Sequence, residues 1–281
     1  MWDSSLVRLV RYTLDKYERD NCGMLSAGLA YFAIFSLFPL ILVVLSLVGF
    51  FIDPNTYAVQ EQLLNLIGSD DIRDLVTETL QHFNENRVSV GLLGFVTLFF
   101  AATGIFGALS RAFRVIWEVK PAEGASIRAA VLNAVLSKVV AFEMVVGAAA
   151  LILISALSGV LISMVASYTD WLPWPSVVLR FGQPVITLVL LSIGMAALFK
   201  FLPGRPVPLL DVWPAAIVAA VLFTALQAFA GLIFGLINFS SFGVLGGAMA
   251  LLTWIYFCCQ VILVGGELSF AWANLFGSLR K

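Results

Sequence analysis

Charge is what this sequence has least of. Only 12% of its 281 residues are Asp, Glu, Lys or Arg, 61% are hydrophobic, and the mean hydropathy is +1.00. Soluble domains carry about twice that share of charge, so a water-soluble globule is excluded and the chain reads as an integral membrane protein. Histidine is nearly missing as well: the single one, His82, sits in "LQHFNEN" of the expected outside loop and reads as a solvated surface residue rather than a catalytic base. Three cysteines, Cys22, Cys258 and Cys259, are too few for a disulfide framework and lack the paired spacing of a zinc site. No HExxH, Walker A, GxSxG or CxxC pair occurs. The expectation is therefore a protein that is not an enzyme, with no catalytic residue, metal or cofactor, no nucleic-acid partner and no ATP-driven step.

What is present is length in apolar runs. A helix needs about 20 apolar residues to cross the hydrocarbon core, and six segments qualify: about 25–52, 88–110, 139–165, 180–200, 212–237 and 243–273. The last two are divided at "NFSSFG", Asn238 to Gly243, whose composition reads as a tight turn. The expected fold is all-α, a polytopic membrane bundle of six transmembrane helices forming a single domain over 1–281. Of the 16 Lys and Arg residues, all but Arg73, Arg87 and Arg180 fall on one side of these spans. The positive-inside rule makes that side cytoplasmic and puts both termini there.

Two amphipathic segments lie outside the spans. In residues 1–22, Leu6, Leu9, Val10, Thr13, Leu14 and Tyr17 repeat at helical spacing beside Arg8, Arg11, Lys16 and Arg19, which predicts an interfacial helix and no cleavable signal peptide. In the outside loop 53–87, Ile72, Leu75, Val76, Thr79, Leu80 and Phe83 predict a second one. Pro39 within the first span predicts a kink.

From Val212 to Gly266 there is no Asp, Glu, Lys, Arg or His, and Glu267 ends that run. Steps of seven give Thr253, Gln260, Glu267 and Asn274 on one helix side, while Gly265, Ser269, Ala273 and Gly277 form a small-residue stripe elsewhere. The preceding span places Thr224, Gln227 and Asn238 in one sector. Two readings stand. The stripes line a partly hydrated path with Glu267 as its ionisable group, or they glue helices together. Arg111, Arg114 and Glu143 lie at cytoplasmic helix ends, so a charge cluster there, including a pair between Glu267 and either arginine, is allowed by the topology.

Four blocks, "AGLAYFAIFSLFPLILVVLSL" from Ala27, "GALSRAFRVIWEVK" from Gly107, "FLPGRPV" from Phe201 and "SSFGVLGGAMALLTWIYFCCQVILVGGELSFAWA" from Ser240, resemble the YihY/BrkB family of bacterial inner-membrane proteins. The resemblance implies a six-helix protein of the bacterial cytoplasmic membrane, linked to virulence and envelope integrity. Some members carry an older ribonuclease label that this chain, with no metal-ligand cluster and only short cytoplasmic segments, argues against. The functional expectation is a transporter-like protein for a lipid or other envelope component, with membrane lipids as partners. The alternatives are an envelope scaffold that binds proteins through the 53–87 loop, and an ion or small-solute transporter. Oligomeric state is not written in the sequence.

Overall fold

The computed structural model describes residues 5–51, 87–119, 154, 175–236 and 243–280, and the segments these comprise are helical, with no strand among them. Six helices carry the described chain: α1 (Ser5–Arg19), α2 (Cys22–Phe51), α3 (Arg87–Ile116), α4 (Pro175–Phe201), α5 (Leu209–Leu236) and α6 (Gly243–Leu275). Three of them contain stretches long and apolar enough to cross a membrane, Pro184–Phe201, Leu209–Ala230 and Gly246–Leu275, and these match the expected spans 180–200, 212–237 and 243–273. A shorter apolar helix covers Cys22–Leu37. Apart from Ile154, Arg87 and Gly243, the expected span 139–165, the loop 53–87 with His82, and the turn Asn238 to Gly243 lie outside the described residues.

The helices begin and end where local chemistry stops or restarts them. α1 closes at Asn21, which adopts the left-handed conformation (φ 52°) that Asn tolerates better than most residues, and its N–H bonds to the Glu18 carbonyl at 3.1 Å. α2 starts at once, with Met24 N–H bonding to the Asn21 carbonyl at 2.9 Å. α3 ends in the same way at Glu118 (φ 51°), where Glu118 N–H reaches Val115 O at 3.0 Å and Val119 N–H reaches Arg114 O at 2.9 Å. That pair of bonds is a Schellman closure. It satisfies carbonyls that would otherwise be orphaned at the helix end.

The chain divides into two compact units, one within Met1–Tyr31 and Phe106–Lys281, the other within Phe32–Ile105. In the second unit α2 and α3 approach closely at Gly104, where a Cβ would come within 3.2 Å of the Phe32 ring. α2 carries Pro39 inside its length, and Ser36 donates to the Ala33 carbonyl at 2.7 Å one turn before it.

In the first unit the core gathers at one level of the helices. It joins the start of α2 (Cys22, Leu29), the end of α3 (Ala112, Phe113, Ile116, Trp117), the end of α4 (Met195, Ala196, Phe199), the start of α5 (Val212, Ala215, Ala216, Ala219) and the later part of α6 (Leu263, Phe270, Ala273). Small residues let backbones come together there, since helices in lipid gain little from apolar burial alone and depend on close packing. The predicted small stripe of α6 is that packing face: Gly265 lies against Phe199 and Ala219, and Gly277 against Asp211.

Asp211, in the first turn of α5, fastens this arrangement. It is buried and accepts from the Ser278 N–H at 3.3 Å and from the Ser278 hydroxyl, while its own carbonyl accepts from the Ser269 hydroxyl at 3.4 Å. The start of α5 is thereby tied to the end of α6, so the two helices run antiparallel. Asp211→Ala removes the acceptor and leaves the Ser278 donors without it; it should lower stability by about 1–3 kcal/mol. Thermal unfolding of the detergent-purified protein measures this, and an unchanged midpoint would show that the clasp contributes nothing.

Candidate functional site

Glu267 is fully buried, on the side of α6 away from Gly265 and Ser269, and the surprise is what it meets. Its partner is Lys16 of α1. Lys16 Nζ lies 3.7 Å from Glu267 Oε2, and the Cys22 thiol donates to Glu267 Oε1 at 3.3 Å. Lys16 is itself 1% exposed. Its ammonium also contacts Asp20 and stands 3.6 Å from Glu118 Oε1, and it lies over the Phe270 ring at 4.6 Å. Arg19 completes the cluster, 3.7 Å from Asp20 and 3.8 Å from Glu118.

The local folding explains the convergence. Leu9, Thr13 and Lys16 follow i, i+4, i+7 spacing, so the face of α1 that packs on α6 brings the lysine with it. The left-handed turns at Asn21 and Glu118 bring the start of α2 and the end of α3 to the same place. A residue with a Cβ pays about 1–2 kcal/mol to sit in that conformation, and at Glu118 the result is a carboxylate beside Lys16. Three carboxylates thus face one ammonium with three donors. Counting Arg19, the cluster holds one more acid than base.

Among the described residues, Glu267 Oε2 and Trp117 Nε1 are buried without a hydrogen-bond partner. Among the described residues the cation beside Glu267 Oε2 is Lys16. Trp117 packs edge-on against Phe270, with centroids 5.6 Å apart and planes at 86°, and lies under the Arg205 guanidinium at 5.4 Å. On α1, outside the spans, burial and then the neighbouring Cys22 raise the Tyr17 phenol above its ordinary range, which keeps it neutral.

The other residues singled out from the sequence separate. Along the α6 stripe Thr253 is exposed, Gln260 half-buried, Glu267 buried and Asn274 half-buried. Thr253 donates to the Met249 carbonyl at 2.8 Å, Thr224 to Ala220 at 2.9 Å and Asn274 to Phe270 at 3.0 Å, each one turn back on its own helix. Thr224 and Gln227 of α5 are exposed. Asn238 and Glu143 lie outside the described residues. The pairing of Glu267 with Arg111 or Arg114 is corrected: both arginines are exposed, and among the described residues the cation beside Glu267 is Lys16. Arg114 turns instead towards Gly204, whose φ of +70° makes the bend between α4 and α5. Among the described residues no group of His, Cys, Asp and Glu could hold a metal ion.

Long apolar helices closed at one level by small-residue packing and a buried charge cluster define a helical membrane protein. The chain belongs to the Virulence factor BrkB family, whose sequence model matches residues 13–279. It is similar to a UPF0761 membrane protein of Psychrobacter sp. (27% identical, covering 96% of this chain and 49% of the relative), to one of Legionella pneumophila (26%, covering 95% and 62%) and to one of Vibrio vulnificus (25%, covering 94% and 82%). The chain therefore spans about half to five-eighths of the first two relatives. No solved structure matches it.

Proposed function

We propose that this protein is a transporter-like component of the bacterial inner membrane that moves a lipid or other envelope amphiphile without ATP. The observation that carries this reading is the level of the polar side chains. Gly265 of α6 lies against Ala219 of α5, and the two helices are antiparallel, so five residues on from Ala219 Thr224 stands level with Gln260, five residues back from Gly265. Gln227 is less than one turn further. Gln260 and Gln227 sit outside the packed core, within apolar spans, and among the described residues no hydrogen bond to either amide is seen. An unsatisfied amide facing hydrocarbon costs several kcal/mol, and an amphiphile's headgroup or water beside these helices relieves that cost.

Glu267 continues the same stripe, seven residues and about 10 Å beyond Gln260. In this proposal the Lys16–Glu267 pair closes the path at the packed end, and uptake of a proton by the cluster loosens it. That end carries Arg111, Arg114, Lys200, Arg205 and Arg280 beside α1, which supports placing it, with both termini, on the cytoplasmic side.

Purified protein in lipid vesicles tests the reading through translocation of fluorescent phospholipids. Gln260→Leu, which leaves the core untouched, should slow translocation by about tenfold, the effect of removing one hydrogen bond of ordinary strength. Equal rates for wild-type, Gln260→Leu and protein-free vesicles would overturn it.

A further inference from the structure

α1 has three faces, and only two of them are accounted for by the fold. Leu9, Thr13 and Lys16 are buried against the bundle. Arg8, Arg11, Asp15, Glu18 and Arg19 are exposed. Between these lies a row at i, i+4, i+8, Leu6, Val10 and Leu14, and these side chains are 68%, 55% and 56% exposed. At about 100° per residue the centre of that row is rotated by about 100° from the centre of the buried face. It adjoins the protein-facing side and ends beside Arg11.

We propose that α1 lies in the plane of the membrane surface as a contact for anionic lipid, with Leu6, Val10 and Leu14 in the acyl boundary and Arg8 and Arg11 at the headgroups. A helix with one side on protein, one apolar side bare and one side charged fits the boundary between hydrocarbon and water, where each side meets a matching medium. The part of α1 up to Leu14 contains Arg8 and Arg11 and no acidic residue, so its exposed charge is complementary to anionic headgroups. The level of α1 agrees. Its Lys16 reaches Glu267, eight residues or about 12 Å from the end of α6 at Leu275, which is the depth of an interfacial helix beside a spanning one. Because the same helix carries Lys16, lipid held on its outer face is mechanically joined to the buried charge cluster. This contact rests on the placement of α1 and stands whether or not the protein translocates anything.

The test uses the full chain in vesicles of zwitterionic lipid, with and without phosphatidylglycerol. A nitroxide is attached at Val10→Cys, and in a second sample at Asp15→Cys, with Cys258 and Cys259 replaced by alanine and Cys22 left in its buried place. Collisions with oxygen, which partitions into lipid, should exceed those with a water-soluble nickel chelate at position 10, and the order should reverse at position 15. A label at position 10 as open to the chelate as the one at 15 overturns the proposal, because the face is then in water. Shielding from both reagents also overturns it, because a second copy or another protein then covers the row. Native mass spectrometry of the otherwise unmodified protein provides an arm free of cysteine replacement. Arg8→Gln should lower the preference for retained phosphatidylglycerol over phosphatidylcholine by about fivefold, and no such preference in the wild-type protein would refute the anionic assignment.

Discussion

Replacing Lys16 by methionine is expected to lower the stability of the protein by about 3–5 kcal/mol, the range for breaking a buried pair by removing one partner. The side chain keeps its length, so packing against Phe270 and α6 changes little and the loss is one of charge. Glu267 would keep only the Cys22 thiol at 3.3 Å. Asp20 and Glu118 would lose the ammonium that stands between them and Glu267. The double variant Lys16→Met/Glu267→Gln should recover most of the loss, because a neutral amide can remain buried where a lone carboxylate cannot. Thermal unfolding in detergent or nanodiscs reads both. A Lys16→Met midpoint equal to that of wild type would show that the pair carries no energy.

The second large effect concerns a position with no side chain at all. A Cβ at Gly265 would meet the Phe199 ring at 2.5 Å and the Ala219 Cβ at 2.8 Å. Neither can yield freely: Phe199 packs against Phe113, with centroids 5.8 Å apart and planes tilted by 30°, and Ala219 is part of the buried core. Gly265→Ala should therefore cost about 1–3 kcal/mol by overpacking, and a larger side chain should prevent α4, α5 and α6 from assembling. Gly247, earlier in the same helix, has nothing within 4 Å of a Cβ. Gly247→Ala is therefore the control and should be neutral or slightly stabilising, as alanine favours helix. Similar unfolding midpoints for the two variants would refute close packing at Gly265.

These two residues also show what could be read without coordinates. Gly265 was legible as one of four small residues at spacing four, a pattern that has a packing meaning by itself. Glu267 was legible because an uncharged run of this length makes any carboxylate conspicuous. Its partner was not. Lys16 sits among Arg8, Arg11 and Arg19 in a helix whose charge reads as a solvated face, and a cation in such company gives no sign of being buried. The signal that would have separated it is its register with Leu9 and Thr13, one seam of the helix, whereas Leu6, Val10 and Leu14 form another. Periodicity reports that an apolar face exists; it does not say which part of it meets protein and which meets lipid. The left-handed turn at Glu118 was hidden for a related reason, since a charged residue there carries none of the glycine signature that marks such closures.

The Cys22–Glu267 hydrogen bond and the Lys16 pairing join residues separated by some 245 positions of chain. During synthesis α1 leaves the ribosome long before α6 exists. For that interval Lys16 has Asp20 on its own segment and, once the end of α3 is made, Glu118 as neighbours of opposite charge. Glu267 then arrives as the one acidic residue at the end of a long apolar insertion. The buried cluster is thus complete only when α6 is in place. Until α6 is made, Lys16 and the Cys22 thiol lack the carboxylate they share in the finished bundle, so the first and last described helices are joined only at the end of synthesis.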